Sequence, residues 1–211
     1  MIAAVITNGE LGDVDKLMGI LPEFDLVVCC DGGIRHLDSL GLAPDLIIGD
    51  FDSVHPDVLD EYRRKGVPIQ SHPAIKNETD TELAVRFAAA QGAAQIIILG
   101  ALGSRWDHSF ANVMLLVLLA KMGIDAMILH SHNRIVVSRS ELCLTARPGQ
   151  LVSLLPLGEN VKIRSTKGLK YPIINRSLPL DTPYGISNIF TDACAEVKID
   201  SGWLMAVLSE D

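Results

Sequence analysis

Short apolar runs alternate with segments of helical spacing in the first part of the chain. The apolar runs are the kind that strands buried on both faces need, and they lie at 2–7, 26–30, 46–48, 67–70, 95–99 and 125–130. The segments with helical spacing between them lie at 14–21, 34–40, 56–65, 79–92 and 109–122. Alternating strands and helices predict a three-layer α/β/α domain around a mostly parallel sheet.

The pattern changes at about His132, after which no long helical period occurs. Short strand-like runs separated by turn residues follow at 134–138, 141–145, 151–157, 161–165, 171–174, 195–199 and 203–209. This spacing is typical of a small antiparallel β-sandwich or barrel. We therefore predict an α/β domain over 1–133 and a C-terminal antiparallel β-sandwich over 134–211.

Composition excludes several classes of protein. The 211 residues carry a net charge of -8, which argues against a nucleic-acid surface because phosphate backbones require clustered Lys and Arg. The longest apolar run, 113–120, is far shorter than the roughly 20 residues of a membrane span, and the run at 2–6 is too short for a signal peptide. We expect a cytoplasmic protein that binds neither membranes nor nucleic acids.

The four cysteines show no metal-binding spacing and no disulfide pattern. We expect all four to be small buried residues.

The most informative stretch is DLIIGDFDSV, residues 45–54, in which Asp50 and Asp52 directly follow a predicted strand. Residues two apart in an extended segment point the same way, so a slight bend could turn both carboxylates toward one hard cation. The alternative is that the two aspartates only cap a turn, since Asp often bonds its own backbone.

Other polar residues follow the neighbouring strands. Asp31 precedes Gly32 and Gly33, whose freedom allows positive φ and the close approach of a ligand, although a simple strand-to-helix turn explains them as well. Thr79 and Glu82 have the spacing of a capping box. This spacing puts Asp80 in the first turn of a helix, where complementing the helix dipole is its plainest role.

The exit of the strand at 95–99 is the most polar in the chain. Its loop carries Arg105, Asp107 and His108, a cation, a carboxylate and a titratable ring within four residues. Asn112 lies one turn beyond His108 and could bond to it, and a capping or core hydrogen bond is the alternative.

The carboxyl ends of parallel strands share one edge of a sheet, where ligands bind. Acidic side chains gathered there repel each other, and a divalent cation would hold them together; carboxylates with water and phosphate oxygens suit Mg²⁺ better than zinc. The phosphate-binding patterns G-x-x-x-x-G-K-[ST] and G-x-G-x-x-G are both absent. The residues alone therefore predict a metal-dependent site for a phosphorylated substrate.

Five motifs in one order resemble the thiamine pyrophosphokinase (thiamine diphosphokinase) family. They are DGG at 31–33, PDLIIGDFDS at 44–53, KNETDTELA at 76–84, GSRWDH at 103–108 with Asn112, and GISN at 185–188 followed by a terminal strand that contains Trp203. The resemblance covers nearly the whole chain. It implies transfer of a diphosphoryl group from ATP to thiamine with Mg²⁺, in a homodimer whose active sites lie near the subunit interface.

The resemblance also implies roles for individual residues. Asp50, Asp52 and Asp80 would be the metal and phosphate-site carboxylates, with Asp31 beside them. Catalysis would further involve Arg105, which neutralises phosphate, Asp107 and His108. The remaining implied ligand-binding residues are Gly32, Gly33, Lys76, Asn112, Ser187, Asn188 and Trp203, of which Trp203 would stack on thiamine from the partner chain. Asp80 and Asp107 both remain candidates for the base that takes the thiamine hydroxyl proton.

Three other functions remain open from the sequence. One is the same diphosphokinase chemistry on another hydroxymethyl heterocycle such as a pterin. Another is a metal phosphohydrolase that uses water as the acceptor. The third is a thiamine or nucleotide sensor that binds its ligand without turnover.

Overall fold

The computed structural model describes residues 1–52, 54–73 and 77–210. It divides into two compact units, an N-terminal unit of Met1–Ser131 and a C-terminal unit of His132–Asp211.

The strands of the N-terminal unit form a parallel sheet. They are β1 Ile2–Ile6, β2 Leu26–Cys30, β3 Leu46–Gly49, β4 Ile69–Ser71, β5 Gln95–Leu99 and β6 Asp125–His130. Their spatial order is β6-β5-β1-β2-β3-β4, with every pair parallel. The chain builds outward from β1 to β4 and then returns to the other side of β1 with β5, so the direction of winding reverses between β1 and β5.

Helices cover both faces of this sheet. The helical elements are α1 Val14–Met18, a 3-10 helix Asp31–His36, α2 Leu37–Leu40, α3 Pro56–Arg64, α4 Asp80–Ala90 and α5 Trp106–Lys121. On β1, Ala4 and Ile6 pack with residues of the 3-10 helix and of α1 to α3, whereas Ala3 and Val5 are buried on the opposite face. The helices α4 and α5 contact the strands without joining that cluster. The predicted three-layer α/β/α arrangement is confirmed.

The C-terminal unit is a sandwich of two antiparallel sheets. Its strands are β7 Asn133–Ser138, β8 Glu141–Thr145, β9 Leu151–Pro156, β10 Val161–Lys167, β11 Ile174–Leu178, β12 Asn188–Ile189, β13 Cys194–Ser201 and β14 Leu204–Ser209. One sheet has the order β12-β9-β14-β7 and the other β11-β10-β13-β8. Alternate residues of both sheets, among them Leu154 and Val197, form one core. The predicted sandwich is confirmed.

Among the differences from the predicted element boundaries, those near Asp107 and near Tyr171 concern residues at or beside the candidate site. The last long helix, α5, begins at Trp106 and not at residue 109, so Asp107 and His108 lie in its first turn. The strand predicted at 171–174 lies instead at Ile174–Leu178. At Tyr171 both the backbone N–H and the carbonyl bond to the side chain of Asn188, 17 positions away along the chain, instead of to the backbone of a neighbouring strand.

The expectation that all four cysteines are buried is wrong for two of them. Cys29 and Cys30 are buried in β2, but Cys143 and Cys194 are exposed in the C-terminal unit. Alternation along β8 and β13 turns their side chains away from the core, which the apolar character of these short runs did not reveal.

Within the described part of the chain, no helix combines the length and the apolar character needed to span a membrane.

Candidate active site

A cavity of about 510 Å³ opens at the carboxyl ends of the strands of the N-terminal unit. Residues that follow β1, β2, β3 and β5 line it, together with the first turns of α4 and α5. The winding reverses between β1 and β5, and an open α/β sheet binds its ligands in the crevice at such a point. The topology therefore places the polar strand exits around one cavity.

The floor of the cavity is formed by the loops that follow β1 and β5. Thr7, Gly9 and Glu10 donate backbone hydrogen bonds of 2.6–2.9 Å to the carbonyls of Leu99, Gly100 and Leu102. A Cβ at Gly9 would lie 2.3 Å from the Gly100 oxygen, and one at Gly100, whose φ is +65°, would lie 2.3 Å from the Thr7 oxygen. Glycine is thus required on both sides of this contact. By itself, the dipeptide Asn8-Gly9 predicts only a turn.

Three carboxylates converge at the exits of β2 and β3. Asp31, Asp50 and Asp52 each offer an oxygen, and these oxygens lie within 4.8 Å of one another. A Cβ at Gly49 would lie 3.0 Å from the Cβ of Asp31, so the glycine before Asp50 lets the two strand exits approach this closely. The predicted set was Asp50, Asp52 and Asp80, whereas the cluster contains Asp31 as its third member.

The backbone between Asp50 and Asp52, which follow β3, is not extended. Phe51 has φ of +62°, an uncommon conformation for a bulky residue, and its side chain packs against the core of the N-terminal unit. Asp50 Oδ1 accepts a hydrogen bond of 3.2 Å from the backbone N–H of Asp52. The aspartates therefore cap a turn and also converge on one point, so the turn does not prevent both carboxylates from facing one cation. Such strain, held by packing, is typical of functional sites.

Repulsion between the neighbouring carboxylates raises the pKa of Asp52. The neighbouring Asp50 carboxylate raises the pKa of Asp52 above its ordinary value, partial desolvation adds to this, and Asp31 and Asp80 act in the same direction. A cation at the cluster would remove this repulsion.

Asp80 reaches the cavity from another direction. It is the first residue of α4, after the N-cap Thr79, whose hydroxyl accepts a hydrogen bond of 3.1 Å from the Glu82 N–H. The predicted cap is confirmed. Asp80 lines the cavity but is not a member of the group of three converging carboxylates.

The basic side of the site begins at Arg105, the N-cap residue of α5. Its guanidinium holds Asp107 through two contacts, from Nη2 to Oδ2 at 2.6 Å and from Nε to Oδ1 at 3.3 Å. This pairing lowers the pKa of Asp107 and raises that of Arg105. Nε2 of His108 lies 3.9 Å from Oδ2 of Asp107. Arg105 and His108 line the cavity, whereas Asp107 does not.

Two polar residues of α5 hold the loop at 100–105 in place. Asn112 is buried and donates a hydrogen bond of 2.8 Å to the carbonyl of Ala101, so the suggested bond to His108 is not the one formed. Ser109, which the sequence analysis did not single out, accepts a hydrogen bond of 3.0 Å from the N–H of Gly103. Both residues line the cavity and fix the backbone that surrounds it.

Gly32 and Gly33 serve packing in this structure. A Cβ at Gly32 would lie 2.5 Å from the Asn8 side chain, and one at Gly33 would lie 2.6 Å from the Ile6 carbonyl. The positive φ expected of this turn belongs to Asp31, at +38°, and not to either glycine. The glycines thus bring the exits of β1 and β2 together, and they do not line the cavity themselves.

Two candidate residues of the C-terminal unit, Ser187 and Asn188, lie in and beside β12. Ser187 is exposed, has φ of +56°, and donates its backbone N–H to Ser153 Oγ at 3.2 Å. Asn188 is buried, accepts from the N–H groups of Tyr171 and Ile189, and donates to the Tyr171 carbonyl at 2.7 Å. The Asn188 amide therefore works mainly as a clamp on the backbone.

The remaining predicted residues are Trp203 and Lys76. Trp203 is half-buried, and the Arg139 guanidinium lies 5.7 Å from the centroid of its ring. This is the geometry of a cation–π contact. Lys76 lies outside the described residues.

Two family descriptions together match most of the chain. Residues 18–128 match the family described as "Thiamin pyrophosphokinase, catalytic domain", and residues 132–204 match "Thiamin pyrophosphokinase, vitamin B1 binding domain".

Individual relatives agree with these matches. The chain is 25% identical to the thiamine pyrophosphokinase of Bacillus subtilis, over 98% of both chains, and 31% identical to thiamine pyrophosphokinase 3 of Oryza sativa, over 82% of this chain and 74% of that one. The crystal structure of the Bacillus subtilis protein superposes with a TM-score of 0.88 at 25% identity over the whole of both chains. That of the Geobacillus thermodenitrificans protein gives 0.86 at 28% identity, over all of this chain and 98% of that one.

The order of the motifs, the cavity at the reversal of the sheet and both matched regions lead to the same conclusion. The chain belongs to the thiamin pyrophosphokinase family.

Proposed function

We propose that this protein transfers the diphosphoryl group of ATP to the hydroxyl of thiamine, giving thiamine diphosphate and AMP. The single observation that carries the proposal is the cavity that gathers the carboxylates after β2 and β3 and the cation after β5 around one space, in a chain of the thiamin pyrophosphokinase family. Phosphoryl-type transfer needs positioning and charge neutralisation more than a covalent nucleophile. The side chains of this cavity are suited to both.

The carboxylate cluster has the chemistry that Mg²⁺ requires. Asp31, Asp50 and Asp52 supply hard oxygen ligands, and their proximity raises the pKa of Asp52, which a divalent cation would reverse. In the proposal these three residues hold Mg²⁺ and Asp80 lies beside it. Bound there, the ion would neutralise negative charge on the phosphates of ATP.

Arg105 is the described basic residue best placed for the phosphates, because it lines the same cavity. Its exposed pairing with Asp107 keeps the guanidinium at the mouth of the cavity, and an incoming phosphate could replace that carboxylate as its partner. Asp107 would then act as the group that positions Arg105 in the free enzyme. In the proposal Lys76 remains a ligand-binding residue and His108 a catalytic residue, as the resemblance implies.

The structure also bears on the base that accepts the thiamine proton. Asp107 is held by Arg105, has a lowered pKa and does not line the cavity, which makes it a weak candidate. Asp80 lines the cavity at the start of α4. We therefore assign the base role to Asp80. The loop at 100–105, which lines the same cavity, is held in place by the hydrogen bonds of Asn112 and Ser109.

Thiamine recognition in the proposal involves the C-terminal unit. The exposed hydroxyl of Ser187 would meet the pyrimidine, Asn188 would hold that segment in place, and the ring of Trp203 would stack on thiamine bound by the partner chain. The part of the proposed site that binds ATP would be shaped by Asp31, Gly32 and Gly33. A cytoplasmic location stays a prediction from the sequence.

The proposal includes a homodimer. An exposed apolar stripe on α5 supports it: Trp106, Phe110 and Met114 follow one another at four-residue spacing, and the first two rings lie 6.1 Å apart. Light scattering on the purified protein should give twice the 22.8 kDa mass of one chain. A mass of one chain at the concentrations used for assays would contradict the dimer.

The test of the function is chromatography of the nucleotides after incubation with ATP, Mg²⁺ and thiamine. We expect AMP and thiamine diphosphate in equal amounts. ADP with thiamine monophosphate would mean transfer of a single phosphoryl group, and inorganic phosphate formed without thiamine would mean a hydrolase. A reaction in which a hydroxymethyl pterin replaces thiamine would move the acceptor to the alternative class.

A further inference from the structure

Two cysteines of the C-terminal unit, neither of which belongs to the proposed site, form an exposed pair. Cys143 lies on β8 and Cys194 begins β13, and their sulfur atoms are 3.3 Å apart. Both are free thiols and both are exposed to solvent. Two accessible thiols already in contact need only a small movement and an oxidant to become linked.

The strand register explains the contact. The strands β8 and β13 are antiparallel neighbours in which Cys143 faces Glu196 and Cys194 faces Thr145. All four side chains therefore share the outer face of the sheet, and the cysteines are diagonal neighbours. A disulfide bond is about 2.0 Å long, so the sulfurs must approach by about 1 Å more. β8 is the edge strand of its sheet, and an edge strand is paired on one side only, which leaves it room to move.

We propose that Cys143 and Cys194 are a redox-active dithiol site that forms a reversible disulfide by exchange with low-molecular-weight disulfides such as oxidised glutathione. One protein thiolate attacks a sulfur of the reagent, forming a mixed disulfide and releasing one glutathione thiolate. The second protein thiolate attacks the protein sulfur of that mixed disulfide and releases the second glutathione. Two protein thiols are oxidised to one disulfide, and the reagent is reduced to two thiols.

Reversibility follows from the diagonal geometry. Diagonal neighbours across two antiparallel strands lie about 7–8 Å apart, whereas the Cα atoms of a relaxed disulfide are usually closer, about 4.4–6.8 Å. Closing the bond must therefore draw the strands together, and a disulfide under such tension is readily reduced by thiols. The pair is thus suited to reversible oxidation and not to a permanent structural bridge.

The other two cysteines are internal controls. Cys29 and Cys30 lie in β2 and are buried, and burial raises the pKa of the Cys29 thiol far above its ordinary value. A thiol that is both inaccessible and protonated does not exchange. Reaction is expected at the exposed pair alone.

The experiment treats the intact protein with oxidised glutathione, blocks remaining thiols with N-ethylmaleimide in denaturant, and measures intact mass and linked peptides. We expect loss of two hydrogen atoms from the chain, two alkylated cysteines at 29 and 30, and a peptide joining 143 to 194. Dithiothreitol should restore four alkylated thiols. In the Cys143→Ser variant a stable glutathione adduct should remain on Cys194, because no second thiol can displace it.

Two results would overturn the proposal. One is wild-type protein that keeps stable glutathione adducts on the exposed cysteines, and the other is a disulfide that joins two chains on a non-reducing gel. The Cys143→Ser, Thr145→Cys double variant is the positive control, because it places a thiol directly opposite Cys194. If that pair closes and the native pair does not, the native pair is not a disulfide site. Thiamine-dependent AMP formation should be unchanged in Cys143→Ser, so this test is independent of the proposed reaction.

Discussion

The carboxylate edge of the N-terminal unit and the β12 region of the C-terminal unit contain most of the predicted site residues, and they are built differently. At the carboxylate edge, parallel topology forces every strand exit to one side, and the functional groups of Asp31, Asp50 and Asp52 converge there. In the β12 region the most buried polar side chain, Asn188, is used by the backbone of Tyr171.

The two regions differ in whether their side chains by themselves point to a ligand. Acidic side chains in close contact destabilise one another, and their gathering at one sheet edge is therefore a physical reason to propose a cation there. A buried Asn that clamps a turn is satisfied within its own unit and indicates no ligand. The proposed thiamine site consequently rests on resemblance to the family, whereas the proposed metal site rests also on the geometry of the carboxylates.

The largest expected effect comes from removing one carboxylate of the cluster. Asp52→Asn should lower kcat by on the order of 100-fold or more, because it removes a proposed Mg²⁺ ligand from the site of charge development. The matched control is Asp125→Asn, an exposed aspartate at the amino end of β6, on the opposite edge of the same sheet. Steady-state AMP formation with both variants measures the difference. Normal Mg²⁺-dependent turnover by Asp52→Asn would remove Asp52 from the metal site.

Stability separates this effect from misfolding. The folded-state pKa of Asp52 is raised, so the folded protein holds that proton more tightly than the unfolded chain, and stability is lost as pH rises through this pKa. Replacing the charge by Asn at neutral pH should therefore leave Tm of the metal-free protein equal to or above that of the wild type. Added Mg²⁺ should raise Tm of the wild type but not of the variant.

The next effect tests the backbone contact that forms the cavity floor. Gly100→Ala combines φ of +65° with a Cβ placed 2.3 Å from the Thr7 oxygen, whereas Gly123→Ala has φ of +77° and open space around its Cβ. Both substitutions carry the strain of a left-handed alanine, about 1 kcal/mol. Only Gly100→Ala adds an overlap with fixed backbone, about 1–3 kcal/mol more. Urea unfolding of the two variants measures this gap, and equal midpoints would mean that the loops after β1 and β5 are not held against each other.

A third comparison, between Asn188 and Ser187 in the β12 region, separates a residue that holds the backbone from one proposed to contact thiamine. Asn188→Ala should lower the free energy of unfolding by about 1–3 kcal/mol, because it leaves backbone groups of Tyr171 without their partners. Ser187→Ala removes an exposed hydroxyl and should leave stability within about 0.5 kcal/mol while raising the KM for thiamine. Denaturation curves and kinetics on both variants are needed. A Ser187→Ala enzyme with unchanged thiamine KM would limit this segment to a structural role.

Much of the fold could be predicted from the sequence, because periodicity and caps are local properties. The Thr79 cap and the alternation of β and α elements are examples that the structure confirms. What failed depended on contacts between distant residues. The strand near Tyr171 is displaced by the Asn188 side chain, 17 positions away, and the exposure of Cys143 depends on the orientation of a whole sheet.

In the candidate site, too, features that depend on local sequence were predicted and features that depend on distant contacts were not. Most charged or titratable side chains that line the cavity were singled out from the sequence, because each directly follows a strand or lies at the start of a helix; they are Asp31, Asp50, Asp80, Arg105 and His108. Glu78, which lines the same cavity, was not. The residues that hold their surroundings were missed, namely Phe51, Gly9 and Ser109. Their roles depend on a left-handed φ, a backbone contact with the next strand exit and a hydrogen bond back to a loop, none of which produces a pattern along the chain.

The smallest predicted effect concerns the aromatic ring of the C-terminal unit. Trp203→Ala should raise the KM for thiamine by about tenfold and leave that for ATP unchanged, since a stacked cation loses its aromatic partner. Arg139 lies over the same ring, and a cationic thiazolium would compete with its guanidinium. Arg139→Ala should therefore lower the thiamine KM by about two- to fivefold, the size expected of one exposed cation–π contact. Opposite shifts in the two variants would place thiamine on the ring face that Arg139 covers, whereas a shift in Trp203→Ala alone would place it on the other face.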